Sequence, residues 1–140
     1  MKSNNQSGFS LIELLLVVVI IGVVASIGVP SFRKGILAAE NGSTNATLKV
    51  MLSSQTAFYS QNGRYGRLDE INSLHQNALG TVSANQLIRG KYTYEMIPAI
   101  PTNVQLKEGF NIKATRPALL GDLPYVVEVT QAGYSTQIFP

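Results

Sequence analysis

The sequence predicts an α+β chain. A long, kinked N-terminal helix, apolar in its first half and amphipathic in its second, packs on a C-terminal antiparallel sheet of three to four strands. Three observations carry this expectation. An almost unbroken apolar stretch runs from Phe9 to Val29. Beyond it, apolar residues recur at spacings of three, four and seven up to Gln61. After Gly90 the period changes to alternation, with Pro and Gly between the alternating runs.

The first segment, Met1 to Gly8, is a short polar leader. Phe9 to Val29 then gives 21 positions with one ionisable side chain, Glu13. A helix crossing bilayer hydrocarbon needs about 20 residues at about 1.5 Å each, so the length suffices. Val17-Val18-Val19-Ile20-Ile21 is β-branched and disfavours helix in water. In lipid the backbone must satisfy its own hydrogen bonds, and helix is the outcome. A secretory signal peptide is the competing reading, but its apolar region would run about 7 to 15 residues. Val24-Ala25-Ser26 is only a weak cleavage site for it. A plain single-pass anchor is a second competitor. Gly22 and Gly28 suit close approach of helices and equally suit small positions in lipid.

Pro30 removes one helical hydrogen bond and kinks or ends the helix there. From Ser31 the pattern turns amphipathic, with Leu48, Met51, Leu52, Phe58 and Tyr59 on one face and Lys49, Ser53, Ser54 and Gln61 between them. Asn62-Gly63 ends it, since both residues tolerate positive φ. Residues 63 to 90 read as an irregular connection with short helical turns. Ser83-Ala84-Asn85-Gln86 has capping-box spacing ahead of Leu87-Ile88. The alternating runs are Lys91 to Met96, with Tyr92, Tyr94 and Met96 on one face, Phe110 to Ala114, Tyr125 to Thr130 and Tyr134 to Ile138. Gln131-Ala132-Gly133 is a turn. Pro98, Pro101, Pro117 and Pro124 fall between strands, where proline is tolerated.

Composition narrows the function classes. The net charge is +3 and charged residues are 14%, low for a soluble domain. The longest basic run is Arg33-Lys34, so no nucleic-acid site is evident. The chain has no cysteine, hence no disulfide and no thiolate metal site. His75 is the only histidine and reads as an exposed loop residue without a metal-sharing partner. Asp69-Glu70 reads as a solvated helix start. Asn41-Gly42-Ser43 and Asn45-Ala46-Thr47 match the glycosylation pattern, which a Ser/Thr-rich sequence produces by chance. The tyrosines fall mostly at core-like or sheet positions. There is no Ser-His-Asp set, no Gly-x-Gly-x-x-Gly and no phosphate loop, so the expectation is no enzyme and no cofactor.

Glu13 is the residue that asks for an explanation. A carboxylate inside an apolar run is costly unless partnered. Together with its surroundings, Gly8-Phe9-Ser10-Leu11-Ile12-Glu13-Leu14-Leu15-Leu16-Val17-Val18-Val19-Ile20-Ile21-Gly22, it closely resembles the N-terminal signature of type IV pilins and of the pseudopilins of type II secretion. The resemblance holds at residue level from Gly8 to about Phe32 and in outline over the whole chain. It implies the pilin fold, with a leader at 1–8, a transmembrane and filament-core helix half at 9–37, and a globular head at 38–140. It implies that a prepilin peptidase cuts between Gly8 and Phe9, that the Phe9 amine is N-methylated, and that Glu13 is the assembly carboxylate. Pro30 falls where that family carries its helix-distorting proline.

The implied partners are further copies of the chain in a helical filament, the inner membrane before assembly, and an assembly ATPase with its platform protein. The implied location is the bacterial inner membrane first and the extracellular pilus afterwards. A type II secretion pseudopilin or a minor pilin is the alternative. A periplasmic binding module on a simple anchor is the reading from another class. Many type IV pilins close a C-terminal loop with two cysteines, which this chain lacks. Major pseudopilins share an acidic calcium-binding C-terminal loop, whereas Glu95, Glu108, Asp122 and Glu128 are scattered here.

Overall fold

In a computed structural model of the protein, residues 8–118, 123–133 and 135–139 are described. Most of the expected leader, Met1 to Ser7, lies outside the described residues, as do Asp122, the expected strand start Tyr134, and Pro140. Helix α1 spans Leu11–Asn62, 52 residues, and continues through Pro30 without ending. The chain divides into two compact units between Glu40 and Asn41, with α1 running through both.

The first unit is helix throughout its length from Leu11. The second begins with the rest of α1, which ends where the sequence places its stop, at Asn62, with Gly63 at φ 65°. Helix α2 (Leu68–Leu74), strands β1 (Thr81–Ser83), β2 (Gln86–Arg89) and β3 (Tyr92–Met96), helix α3 (Gln105–Glu108), and strands β4 (Asn111–Arg116), β5 (Tyr125–Thr130) and β6 (Ser135–Phe139) follow. The strands form one antiparallel meander in sequence order.

The sheet has six strands, not three or four. The additional pair, β1 and β2, occupies the stretch expected to be an irregular connection. Ser83 and Gln86 do not form a capping box; they face each other as the closing pair of a hairpin. Its two-residue turn holds Ala84 at φ 53°, a conformation that hairpin turns usually assign to glycine. With alanine there, the usual hairpin signal is missing.

The alternation predicted for β3, β4 and β5 is realised. Tyr92, Tyr94 and Met96 are buried, as are Ile112, Ala114, Tyr125, Val127 and Val129. Pairing sets Leu87, Tyr94, Ala114 and Val127 in one row across four strands. Tyr94, Ala114 and Val127 share one buried cluster with Leu48 and Met51 of α1. Leu68, Ile71, Leu79, Leu106 and Phe110 belong to that cluster as well. Each such side chain contributes roughly 1.5–3 kcal/mol on burial.

The helix face is more polar than its periodicity indicates. Ser54, expected on the solvated side, is buried, and so are Thr44, Thr47 and Gln55. Thr47, Ser54 and Gln55 satisfy their polar atoms locally or nearby. Thr47 Oγ1 donates to the Ser43 carbonyl at 3.0 Å and Ser54 Oγ to the Val50 carbonyl at 2.8 Å. Gln55 takes both backbone groups of Gly66: its Oε1 accepts from the Gly66 N–H at 2.7 Å and its Nε2 donates to the Gly66 carbonyl at 2.8 Å.

Candidate functional site

The first unit presents an unusual surface. Sixteen large apolar side chains from Phe9 to Phe32 are each more than half exposed, from Val17 at 52% to Phe9 at 90%. A helix apolar on all sides needs lipid or other helices around it. This helix is long and apolar enough to cross a membrane.

Gly8 and Phe9 precede the helix in irregular backbone, and both are exposed. Four residues after Phe9, the Glu13 carboxylate turns back toward the helix start. Its Oε2 accepts a hydrogen bond from the backbone N–H of Ser10 at 2.9 Å. With Leu11 as the first helical residue, Ser10 occupies the N-cap and Glu13 the third helical position, and this bond is one arm of a capping box. The anion also lies at the positive end of the helix dipole. Glu13 therefore has one hydrogen-bond donor within its own chain. The Ser-x-x-Glu spacing of Ser10 to Glu13 carries this signal in the sequence, hidden by the apolar run around it. A carboxylate has room for further donors, since its two oxygens offer about four acceptor sites. The site thus combines an exposed junction at Gly8-Phe9, a carboxylate with one described donor a turn later, and an exposed apolar surface. Pro30 lies 17 positions beyond Glu13, exposed inside α1.

In the second unit, the other sequence candidates take structural roles. His75 is half-buried rather than an exposed loop residue; its Nε2 lies 2.6 Å from Ser54 Oγ. The Asn41 side chain accepts from the Tyr92 hydroxyl, and Asn45 Nδ2 donates to the Tyr125 hydroxyl at 3.0 Å. Both asparagines of the Asn-x-Ser/Thr matches are thus helical residues engaged in the head. Tyr92, Tyr94 and Tyr125 are core residues, while Tyr59 is 40% exposed and packs against Tyr65 in a tilted arrangement with ring centroids 4.7 Å apart.

Asp69 and Glu70 lie in the first turn of α2. Glu70 does more than face solvent: it pairs with Arg64 through two contacts of 2.6 and 2.8 Å and accepts from the Arg67 N–H at 2.8 Å. The Arg64 guanidinium holds the Glu70 carboxyl below its ordinary range, with partial burial opposing and the Arg67 N–H assisting. On the outer face of the sheet, Glu95 pairs with Lys113 at 2.7 Å, and that contact likewise lowers its pKa. Among the described residues, no three of His, Asp or Glu gather where a metal ion could be held.

Comparison with known proteins places the site in context. Residues 3–29 match the family model for the prokaryotic N-terminal methylation motif. The type IV major pilin protein PilA of Myxococcus xanthus (strain DK1622) is 40% identical over 58 residues, covering 41% of this chain and 26% of that protein. The type IV major pilin protein PilE1 of Neisseria gonorrhoeae is 26% identical over 108 residues, covering 76% of this chain and 61% of that protein. The chain thus spans less than two thirds of the length of either relative. No solved structure matches it significantly.

Proposed function

Because this chain belongs to the type IV pilin family, we propose that it is the structural subunit of a type IV pilus, a helical filament polymerised from a membrane-anchored precursor. The family is one of structural pilins rather than enzymes. The observation that carries the reading is the exposed apolar surface from Phe9 to Phe32 with one carboxylate at its start. Such a surface is stable in lipid or within a bundle of its own copies, and a filament subunit passes from the first to the second.

In this proposal, prepilin peptidase cuts between Gly8 and Phe9, and the new Phe9 amine is N-methylated. Methylation keeps the amine chargeable. Glu13 of one subunit meets the Phe9 amine of its neighbour in an apolar filament interior. A buried ion pair adds little net stability, whereas a buried unpaired charge costs about 3–5 kcal/mol, so the pair acts by selecting the stagger between subunits. The hydrogen bond from Ser10 prepares Glu13 for this role by fixing its carboxylate at the helix start. Pro30 supplies a position at which α1 lacks one backbone bond and yields in the bundle.

Before assembly the precursor sits in the inner membrane, and an assembly ATPase with a platform protein moves it into the extracellular pilus. The absence of cysteine favours a second reading, a type II secretion pseudopilin or a minor pilin, because no stapled C-terminal loop is available. Electron microscopy of cells with the gene deleted and restored tests the filament reading. Surface pili lost on deletion and restored with the gene are expected. Pili of normal number in the deletion strain would overturn a major-subunit role.

A further inference from the structure

Charge brackets the apolar run of α1 at both ends. Glu13 stands at its start, and Arg33-Lys34 follows directly on Phe32. Glu13 and Arg33 are 20 positions apart in the sequence (33 − 13). At about 1.5 Å per residue this is about 30 Å of helix, which equals the thickness of bilayer hydrocarbon, also about 30 Å. A precursor with Glu13 at one hydrocarbon boundary therefore carries Arg33 and Lys34 at the headgroup depth of the opposite leaflet.

Both basic side chains are exposed, and neither is ion-paired with a described residue. No other charge lies between Lys34 and Glu40. Their aliphatic stems can run along the apolar edge while the heads reach water. The guanidinium fork of Arg33 matches a phosphate with two parallel hydrogen bonds, and the Lys34 ammonium adds a point charge beside it.

We propose that Arg33 and Lys34 dock on the headgroup phosphates of anionic phospholipids in the leaflet opposite the leader, and so set the depth at which the precursor waits for assembly. This rests on reading α1 as a membrane span. The contact is electrostatic and reversible, so it holds the precursor in register without preventing its extraction.

The chain has no tryptophan, so Phe32→Trp places a single fluorescent reporter next to the two cations. The full-length variant is reconstituted into equimolar phosphatidylglycerol and phosphatidylcholine vesicles, with brominated tails on one lipid or the other. Brominated phosphatidylglycerol is expected to quench at least about twofold more than brominated phosphatidylcholine, within the enrichment that two juxtamembrane cations support at an anionic surface. The preference is expected to vanish in the same background with Arg33→Gln and Lys34→Gln, and to survive Arg33→Lys. It is also expected to fall toward parity at about 1 M salt, where the screening length is about 3 Å. Equal quenching by the two lipids in the Phe32→Trp chain would overturn the inference and leave the span intact. Absence of quenching by either lipid would overturn the span itself, and the inference with it.

Discussion

Glu13 acts in two ways that substitution can separate. Within its own chain the carboxylate accepts the Ser10 N–H at 2.9 Å, and across subunits we propose that it meets the Phe9 amine. Glu13→Gln keeps an acceptor oxygen at the helix start but removes the charge. Glu13→Ala removes both. Loss of the local cap costs about 1 kcal/mol, a few-fold in helix stability, and only the alanine variant incurs it in full. Loss of the charge leaves a cationic amine buried without a partner in the filament, at about 3–5 kcal/mol per subunit. At tenfold for every 1.4 kcal/mol, that is a factor of roughly 10² to 4 × 10³ in the equilibrium between membrane pool and polymer.

The assay is the ratio of sheared, sedimented filaments to membrane-bound subunit, read by immunoblot. Both variants are expected to lose polymer by at least about a hundredfold, with glutamine close to alanine and the membrane pool normal in amount. If Glu13→Gln polymerises within twofold of the parent while Glu13→Ala fails, Glu13 is a helix cap and the pairing argument is wrong.

Two further predictions concern the head. Gln55→Leu strands the buried N–H and carbonyl of Gly66 that Gln55 now satisfies, at about 1–3 kcal/mol for each group. The expected outcome in thermal unfolding by near-ultraviolet circular dichroism is a Tm lower by at least about 8 °C; an unchanged Tm would show that water replaces the side chain. Arg64 depresses the pKa of Glu70 below its ordinary 4.5. The stabilisation from this group is therefore present above that ordinary value and is lost as pH falls through the depressed folded value. The stability difference between the parent and Glu70→Gln is expected to be constant at neutral pH and to shrink only in acid below about pH 4.5. A difference that persists unchanged to pH 2 would mean that charge contributes nothing to the Arg64 pair.

Much of this architecture is legible in the sequence because its signals are long. The apolar run from Phe9, the stop at Asn62-Gly63 and the alternation of Tyr92, Tyr94 and Met96 each extend over enough residues for their period to show. The β1–β2 hairpin is not legible. Of the seven residues in those two strands only Leu87 is buried, so there is no inward row to read, and its turn uses Ala84 where glycine is usual. The polar residues of α1 mislead for a different reason. Thr47, Ser54 and Gln55 can be buried because hydrogen bonds within the helix and to the Gly66 loop satisfy them, and periodicity counts only apolarity. The half-burial of His75 follows from its contact with Ser54, 21 positions away, a pairing no local pattern announces. At the candidate site, Gly8, Phe9 and Glu13 stand out in the sequence, but the Ser10-x-x-Glu13 spacing behind the bond to the Glu13 carboxylate is masked by the apolar run around it.

Mass spectrometry of the N-terminal peptide from subunits recovered from the cell surface addresses the central proposal most directly. The account predicts a mature chain beginning at Phe9 with a methylated α-amine. A chain that retains Met1 would lack the free Phe9 amine that Glu13 is proposed to meet, and one cleaved after Ser26 would lack Glu13 and most of the apolar surface on which the filament reading rests.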